Sequence, residues 1–228
     1  MEESSSTPTE PQKAQEQETQ KPLENEHLQE EILDEDLTIA KKSTPKELTS
    51  FQDSRLLPTV AETIQKHGWE KPTPIQTKAL PYSLTGQNIA GFAQTGTGKT
   101  GVFLISLAQK LEQSNVKRKA NEPFCLVICP TRELAVQIKE DADELLTKLN
   151  IKSVAIYGGS SPEEQEAKLK EGVDLVIATP GRLLDFHQQK LICFDKLGLF
   201  VCDEVDRMFD MGFIDEVERI LVAIKESV

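Results

Sequence analysis

Beyond position 51 the apolar residues follow two alternating patterns. Short, nearly unbroken apolar runs occur at 88–93 (NIAGFA), 124–129 (FCLVIC), 152–157 (KSVAIY), 173–178 (VDLVIA) and 197–202 (LGLFVC). Runs of this length that do not alternate with polar residues predict strands covered on both faces. Between and around them lie stretches of helical periodicity. Two precede the first run, at 58–66 (ended by Gly68) and 74–84; others fall at 100–113, 133–149, 162–171, 182–190 and 214–225. Strands alternating with helices predict an α/β domain, a parallel β-sheet flanked by helices on both faces. In such a sheet ligands bind outside the carboxyl ends of the strands. No internal repeat is visible.

Upstream, the first 45 or so residues are rich in Glu, Gln, Ser, Thr and Pro and have no aromatic residue. Such a segment buries too little apolar surface to offset its ordering entropy, so it reads as a disordered tail. The expected organisation is a disordered acidic tail over 1–48 and one folded domain over 49–228. The stretch LQEEILDEDL within the tail reads either as a solvated acidic run or as a transient helix that docks a protein partner.

Charge changes the picture once it is divided. The formal net charge is −12, yet residues 1–50 carry 13 acids against 5 bases, so the remainder holds only −4. A near-neutral domain can still present a local basic face, and composition neither supports nor excludes a nucleic-acid partner. Cys125, Cys129, Cys193 and Cys202 form no CxxC pair and sit in or beside apolar runs, as small buried side chains do in a reducing compartment. His27, His67 and His187 lie far apart, with no metal-ligand spacing. The apolar runs are too short to span a membrane and the N-terminus has no signal-peptide pattern, so the expectation is a cytoplasmic protein with no membrane partner.

The strongest motif is AQTGTGKT, residues 93–100, placed after an expected strand and opening an expected helix. In a phosphate loop, Gly96 and Gly98 allow the tight turn that points backbone N–H groups at phosphate oxygens, with Gln94, Thr95 and Thr97 completing the loop. The helix N-terminus adds partial positive charge. Lys99 reaches the β- and γ-phosphates, and the Thr100 hydroxyl ligates magnesium. The general pattern has Gly where this chain has Ala93, so the match is to a subclass. About 105 residues later comes DEVD, 203–206, directly after the last apolar run. At the end of a strand next to the phosphate-loop strand, Asp203 would hold the Mg2+, partly through water, and Glu204 would orient or deprotonate the attacking water.

Further motifs accompany these two. GWEKPTPIQ occupies 68–76, with an isolated aromatic, Phe51, upstream; PTRELA occupies 130–135, Gly158 and Gly159 are paired, TPGR occupies 179–182 and MGF 211–213. In this order and spacing, residues 51–228 resemble the DEAD-box RNA helicases. The resemblance implies a RecA-like P-loop domain carrying a Q motif, with ATP and Mg2+ as cofactors and RNA, held without regard to sequence, as partner. It implies that Gln76 reads the two-faced edge of adenine, that Trp69 stacks on the base, and that Lys71 and Phe51 lie beside it. It further implies that Pro130, Thr131, Arg132, Gly159, Thr179, Gly181 and Arg182 meet the phosphates and 2′-hydroxyls of a single strand. For Arg132 and Arg182 the alternative is local hydrogen bonding at a helix start.

Two departures from the family pattern stand out. Val205 replaces the Ala of the family's DEAD motif and is expected to pack beneath the site. The SAT motif and second RecA-like domain, which supply an arginine finger and half of the RNA clamp, do not occur before residue 228. The expected activity is therefore that of an ATP-dependent RNA helicase, with this chain by itself largely inactive in hydrolysis and unwinding. The alternative, of another class, is a nucleotide-binding module without turnover that serves in binding or regulation. A related enzyme acting on DNA is a third, disfavoured by the Q motif and TPGR.

Overall fold

The computed structural model of the chain describes residues 44–114 and 120–227. The expected disordered acidic tail lies outside the described residues up to position 43. From the carboxyl side of that segment the chain runs α1 (Pro58–Lys66), α2 (Pro74–Leu84), α3 (Lys99–Gln113), β1 (Cys125–Ile128), α4 (Arg132–Leu146) and a 3-10 turn (Thr147–Leu149). It continues β2 (Ser153–Ile156), α5 (Pro162–Lys170), β3 (Leu175–Ala178), α6 (Pro180–Gln188), β4 (Leu199–Cys202), α7 (Val205–Asp210) and α8 (Ile214–Ser227). The four strands form one parallel sheet in the order β2-β3-β1-β4.

Unbroken apolar runs arise here because successive strand side chains face opposite layers. On β1, Cys125 and Val127 face the layer of α1 to α4, joined there by Ile64, Leu104, Ile138 and Leu145. Leu126 and Ile128 face the other layer, with Leu183, Phe186, Phe194, Met208 and Ile220. The folded part begins earlier than the expected boundary at 49. Residues 44–48 fall within the expected disordered tail, yet Leu48 is fully buried and its N–H donates to the Thr77 carbonyl, because this apolar side chain finds a place in the core.

Several boundaries follow local chemistry. Helix α2 starts at a capping box: Thr73 N–H donates to Gln76 Oε1 (3.0 Å) while Thr73 Oγ accepts from Gln76 N–H, and Pro74 fills the first position. Thr131 caps α4 and Ser161 caps α5, each accepting from the N–H three residues on.

One expected strand is absent. Residues 88–93 carry no ladder hydrogen bonds, Ile89 is exposed and Phe92 is 97% exposed. A strand needs a neighbour, and among the described residues the sheet ends at β4, which is half-buried throughout. With Gly91 and two alanines the run also has little side-chain area to pack. The phosphate loop therefore does not follow a strand adjacent to β4. Helix α7 was not evident in the sequence either; six residues are too few to show a period.

Gly198 is fixed by a close approach. Its N–H donates to the Phe124 carbonyl (2.8 Å), and a Cβ there would overlap the Phe124 ring. Gly198→Ala should cost about 1–3 kcal/mol as an overpacked contact. The check is urea unfolding, in which the midpoint falls while the slope holds.

Candidate functional site

The carboxyl ends of the four strands line up along one edge of the sheet, each followed by residues singled out above. In spatial order these are Gly159 after β2, Thr179 to Arg182 after β3, Pro130 to Arg132 after β1, and Asp203 and Glu204 after β4. Strands spaced about 4.8 Å apart set the row from β2 to β4 about 14 Å long. Backbone bonds continue past the strands and lock the row: Thr179 N–H to the Ile156 carbonyl (3.1 Å), Cys129 N–H to Ala178 (3.0 Å) and Asp203 N–H to Ile128 (2.9 Å).

At the β4 end, burial raises the Asp203 carboxyl above the ordinary carboxylate range, and the Lys99 charge opposes that rise. A carboxyl at the end of a strand is an oxygen ligand that fits magnesium, which takes one or two carboxylates together with phosphate oxygens. Glu204 N–H donates to Asp203 Oδ1 (3.1 Å). Glu204 itself has φ 51°, a left-handed conformation that strains a non-glycine residue, and its carboxylate lies 3.4 Å from Arg207. Val205, expected to pack beneath the site, is exposed at the start of α7. Burial pushes the Cys129 thiol up to about 12 and Cys202 up to about 11, with Asp203 adding to both. Raised thiols of this kind are poor nucleophiles at neutral pH.

The loop over 93–98 turns through Gly96 (φ 80°) and Gly98 (φ 93°), and Gly98 is the N-cap of α3. Gln94, Thr95 and Gly96 are exposed, and Thr97, Gly98, Lys99 and Thr100 are half-buried. Thr97 Oγ donates to the Gln94 carbonyl (2.7 Å) and Lys99 Nζ donates to the Ala93 carbonyl, so the lysine closes the loop on itself. The first N–H groups of α3 have no partners within the helix, an arrangement of the kind that suits an anion.

Gln76 is 3% exposed and joins this loop to the segment before it: Nε2 donates to the Gly98 carbonyl (3.1 Å) while Oε1 accepts from Thr73 N–H. An amide has two donors and two acceptor lone pairs, so one of each remains. Trp69 is half-buried, with Phe51 stacked on it (centroids 6.4 Å apart) and His67 edge-on (4.8 Å). Lys71 is exposed.

Along the row, Arg132 is exposed, with its guanidinium 5.1 Å from the centre of the Tyr157 ring. The Thr179 hydroxyl makes no capping bond to α6. Gly159 (φ 80°) and Gly181 are exposed and open to close approach. The Arg182 guanidinium lies over the Phe186 ring of its own helix (5.5 Å) and reaches the Ser160 carbonyl only at 3.5 Å.

Three positioning residues had no sequence signal, because their partners are distant or are backbone groups. Buried Gln109 on α3 accepts from Leu57 N–H (2.9 Å) and donates to the Arg55 carbonyl (3.1 Å), 52 and 54 residues away. Buried Gln165 clamps the turn after β2, accepting from Tyr157 N–H (3.0 Å) and donating to the Tyr157 carbonyl (3.1 Å) and Ser160. Arg55 binds Asp53 (2.8 Å) and the Lys46 and Glu47 carbonyls, which holds the strap ahead of α1.

The hydrogen bond from Arg55 holds the Asp53 carboxyl down at about 2, below its ordinary 3.8. A lowered carboxyl stabilises the fold above its unfolded value, and that contribution disappears as pH falls through about 2. Trp69 is the one tryptophan of the chain and stacks on Phe51 in this strap. Its fluorescence should shift between about pH 4 and about pH 2, and Asp53→Asn, which has no proton to gain there, should remove that step.

A profile described as DEAD/DEAH box helicase matches residues 73–228, which takes in both the phosphate loop and the row of strand ends. The chain belongs to the DEAD/DEAH box helicase family. Within it, the chain is 47% identical over 169 residues to the ATP-dependent RNA helicase RhlB of Vibrio atlanticus (strain LGP32), covering 73% of this chain and 39% of RhlB. The crystal structure of the yeast DEAD-box splicing factor Prp28 matches with TM-score 0.77 and 30% identity, over 82% of this chain and 45% of that one. The RNA helicase Prp28 of Chaetomium thermophilum, solved bound to ADP, matches with TM-score 0.71 and 36% identity, over 78% and 43%. The parallel sheet with helices on both faces is thus the RecA-like fold of this family. The chain spans 39% of the length of RhlB. No helix among the described residues is long and apolar enough to cross a membrane.

Proposed function

We propose that this segment is the nucleotide-binding half of an ATP-dependent RNA helicase, which takes ATP with magnesium at the loop over 93–100 and a single RNA strand along the sheet edge. The observation that carries the reading is the single row in which Asp203 and Glu204 continue into Arg132, Thr179 and Gly159. Bound magnesium would neutralise charge between the phosphates, held by Thr100 and Asp203, partly through water. Lys99 would leave the Ala93 carbonyl for the β- and γ-phosphates. Glu204 would orient the attacking water and accept its proton. Gln76 would offer its remaining donor and acceptor to adenine, with Trp69, Lys71 and Phe51 beside the base.

For RNA, Pro130, Thr131, Arg132, Gly159, Thr179, Gly181 and Arg182 offer hydroxyl, guanidinium and open backbone groups. Such groups suit phosphate and 2′-hydroxyl contacts and carry no base readout. Filter binding over several unrelated RNA oligonucleotides should give similar affinities that fall together as salt rises. Strong preference for one sequence, or indifference to salt, would count against the reading. Unwinding is proposed for the whole protein rather than for this segment.

A further inference from the structure

Gly101 lies in the first turn of α3, directly after Lys99 and Thr100, and is buried. A Cβ at this position would sit 2.5 Å from Gln76 Nε2 and 3.0 Å from both Cη2 and Cζ3 of Trp69. Contacts this short force a neighbour to move. The Gln76 amide has little freedom to do so, being 3% exposed and bonded at both ends, to Thr73 and to Gly98. Trp69 is backed by Phe51 and by His67. The two side chains expected to meet the base therefore rest on the helix turn that follows the phosphate loop, at the one place where that turn has no side chain.

We propose that Gly101 is a positioning residue that sets base selectivity: its missing side chain lets Trp69 and Gln76 seat directly on α3 and holds the base-reading edge at a fixed offset from the phosphate loop. Trp69 and Gly101 are matched in size. The two Trp69 atoms nearest to Gly101 belong to the outer six-membered ring, which a phenylalanine at 69 would not carry to that point. A methyl group at 101 should therefore be tolerated better beside phenylalanine than beside tryptophan. The inference rests on the proposed adenine-reading role of Gln76 and Trp69.

The test is titration calorimetry with magnesium, using ADP, GDP and inorganic tripolyphosphate as probes. The proteins are the parent, Gly101→Ala, Trp69→Phe and the double variant, with melting temperatures measured alongside. Gly101→Ala should weaken ADP binding about tenfold, narrow the ADP-to-GDP ratio, and leave tripolyphosphate within about twofold. The double variant should recover most of the ADP affinity lost by Gly101→Ala, a coupling that independent sites would not show. If Gly101→Ala does not fold, the double variant must fold and prefer ADP, and its failure to do so overturns the proposal. An unchanged ADP-to-GDP ratio in Gly101→Ala overturns it as well, as does equal weakening of ADP and tripolyphosphate, or a double variant no better than the product of the singles. Equal affinity of the parent for ADP and GDP sinks the adenine-reading role and this inference together.

Discussion

In the whole helicase of which this segment is proposed to be the nucleotide-binding half, Glu204→Gln should lower RNA-stimulated ATP hydrolysis by about 10²–10⁴-fold, the usual contribution of a placed general base. The substitution keeps the size of the side chain and one acceptor oxygen but removes the charge that takes a proton from water. Glu204 stands next to Asp203, in a left-handed backbone conformation and with Arg207 at 3.4 Å. Nucleotide affinity should stay within a few-fold, because Glu204 is not expected to touch phosphate. Phosphate release and ADP titration, measured on the same preparation, separate the two effects. An equal loss of binding and hydrolysis would mean that Glu204 holds the site together rather than acting on water.

The second large effect is expected from Lys99→Ala, which should weaken binding of magnesium nucleotides about 10²-fold or more. Two charge-assisted hydrogen bonds to phosphate, at about 1.5–3 kcal/mol each, set that scale. The loss should be larger for ATP than for AMP, which lacks the β- and γ-phosphates that Lys99 is expected to reach. In the structure Lys99 Nζ bonds the Ala93 carbonyl, so nucleotide must displace one contact to gain two. Removing the lysine should also lift its opposition to the rise of the Asp203 carboxyl, which moves that group further up. Equal weakening of AMP and ATP would place Lys99 away from the terminal phosphates.

Much of this was legible in the sequence, for physical reasons that differ from element to element. Helices α1 and α2 have the boundaries expected, because proline at the first position and Gly68 after α1 mark their ends. The runs that became β1 to β4 were legible because both faces of the sheet are covered, which makes the strands apolar at every position but Ser153 at the start of β2. The run at 88–93 is also mostly apolar, though poorer in large side chains, and among the described residues it has no partner strand; pairing is not written in a local window. The candidate site motifs stand out in the sequence because a glycine-rich loop before a helix and an acid after a strand are local patterns. Gln109, Gln165 and Gly101 could not, since their roles depend on groups brought together by the fold. Val205 was misplaced for a related reason: whether a residue after a strand packs or faces solvent depends on how α7 leaves the sheet.

The most direct test of the central claim is calorimetric titration of the unaltered chain with ADP and with GDP in the presence of magnesium. The phosphate loop alone would bind both nucleotides alike, whereas the pairing of Gln76 with that loop through the Gly98 carbonyl predicts a preference for ADP. Preference for ADP by about tenfold or more, one or two hydrogen bonds' worth of discrimination, is the expected result. Equal affinity for the two, or no binding of either, would contradict the account.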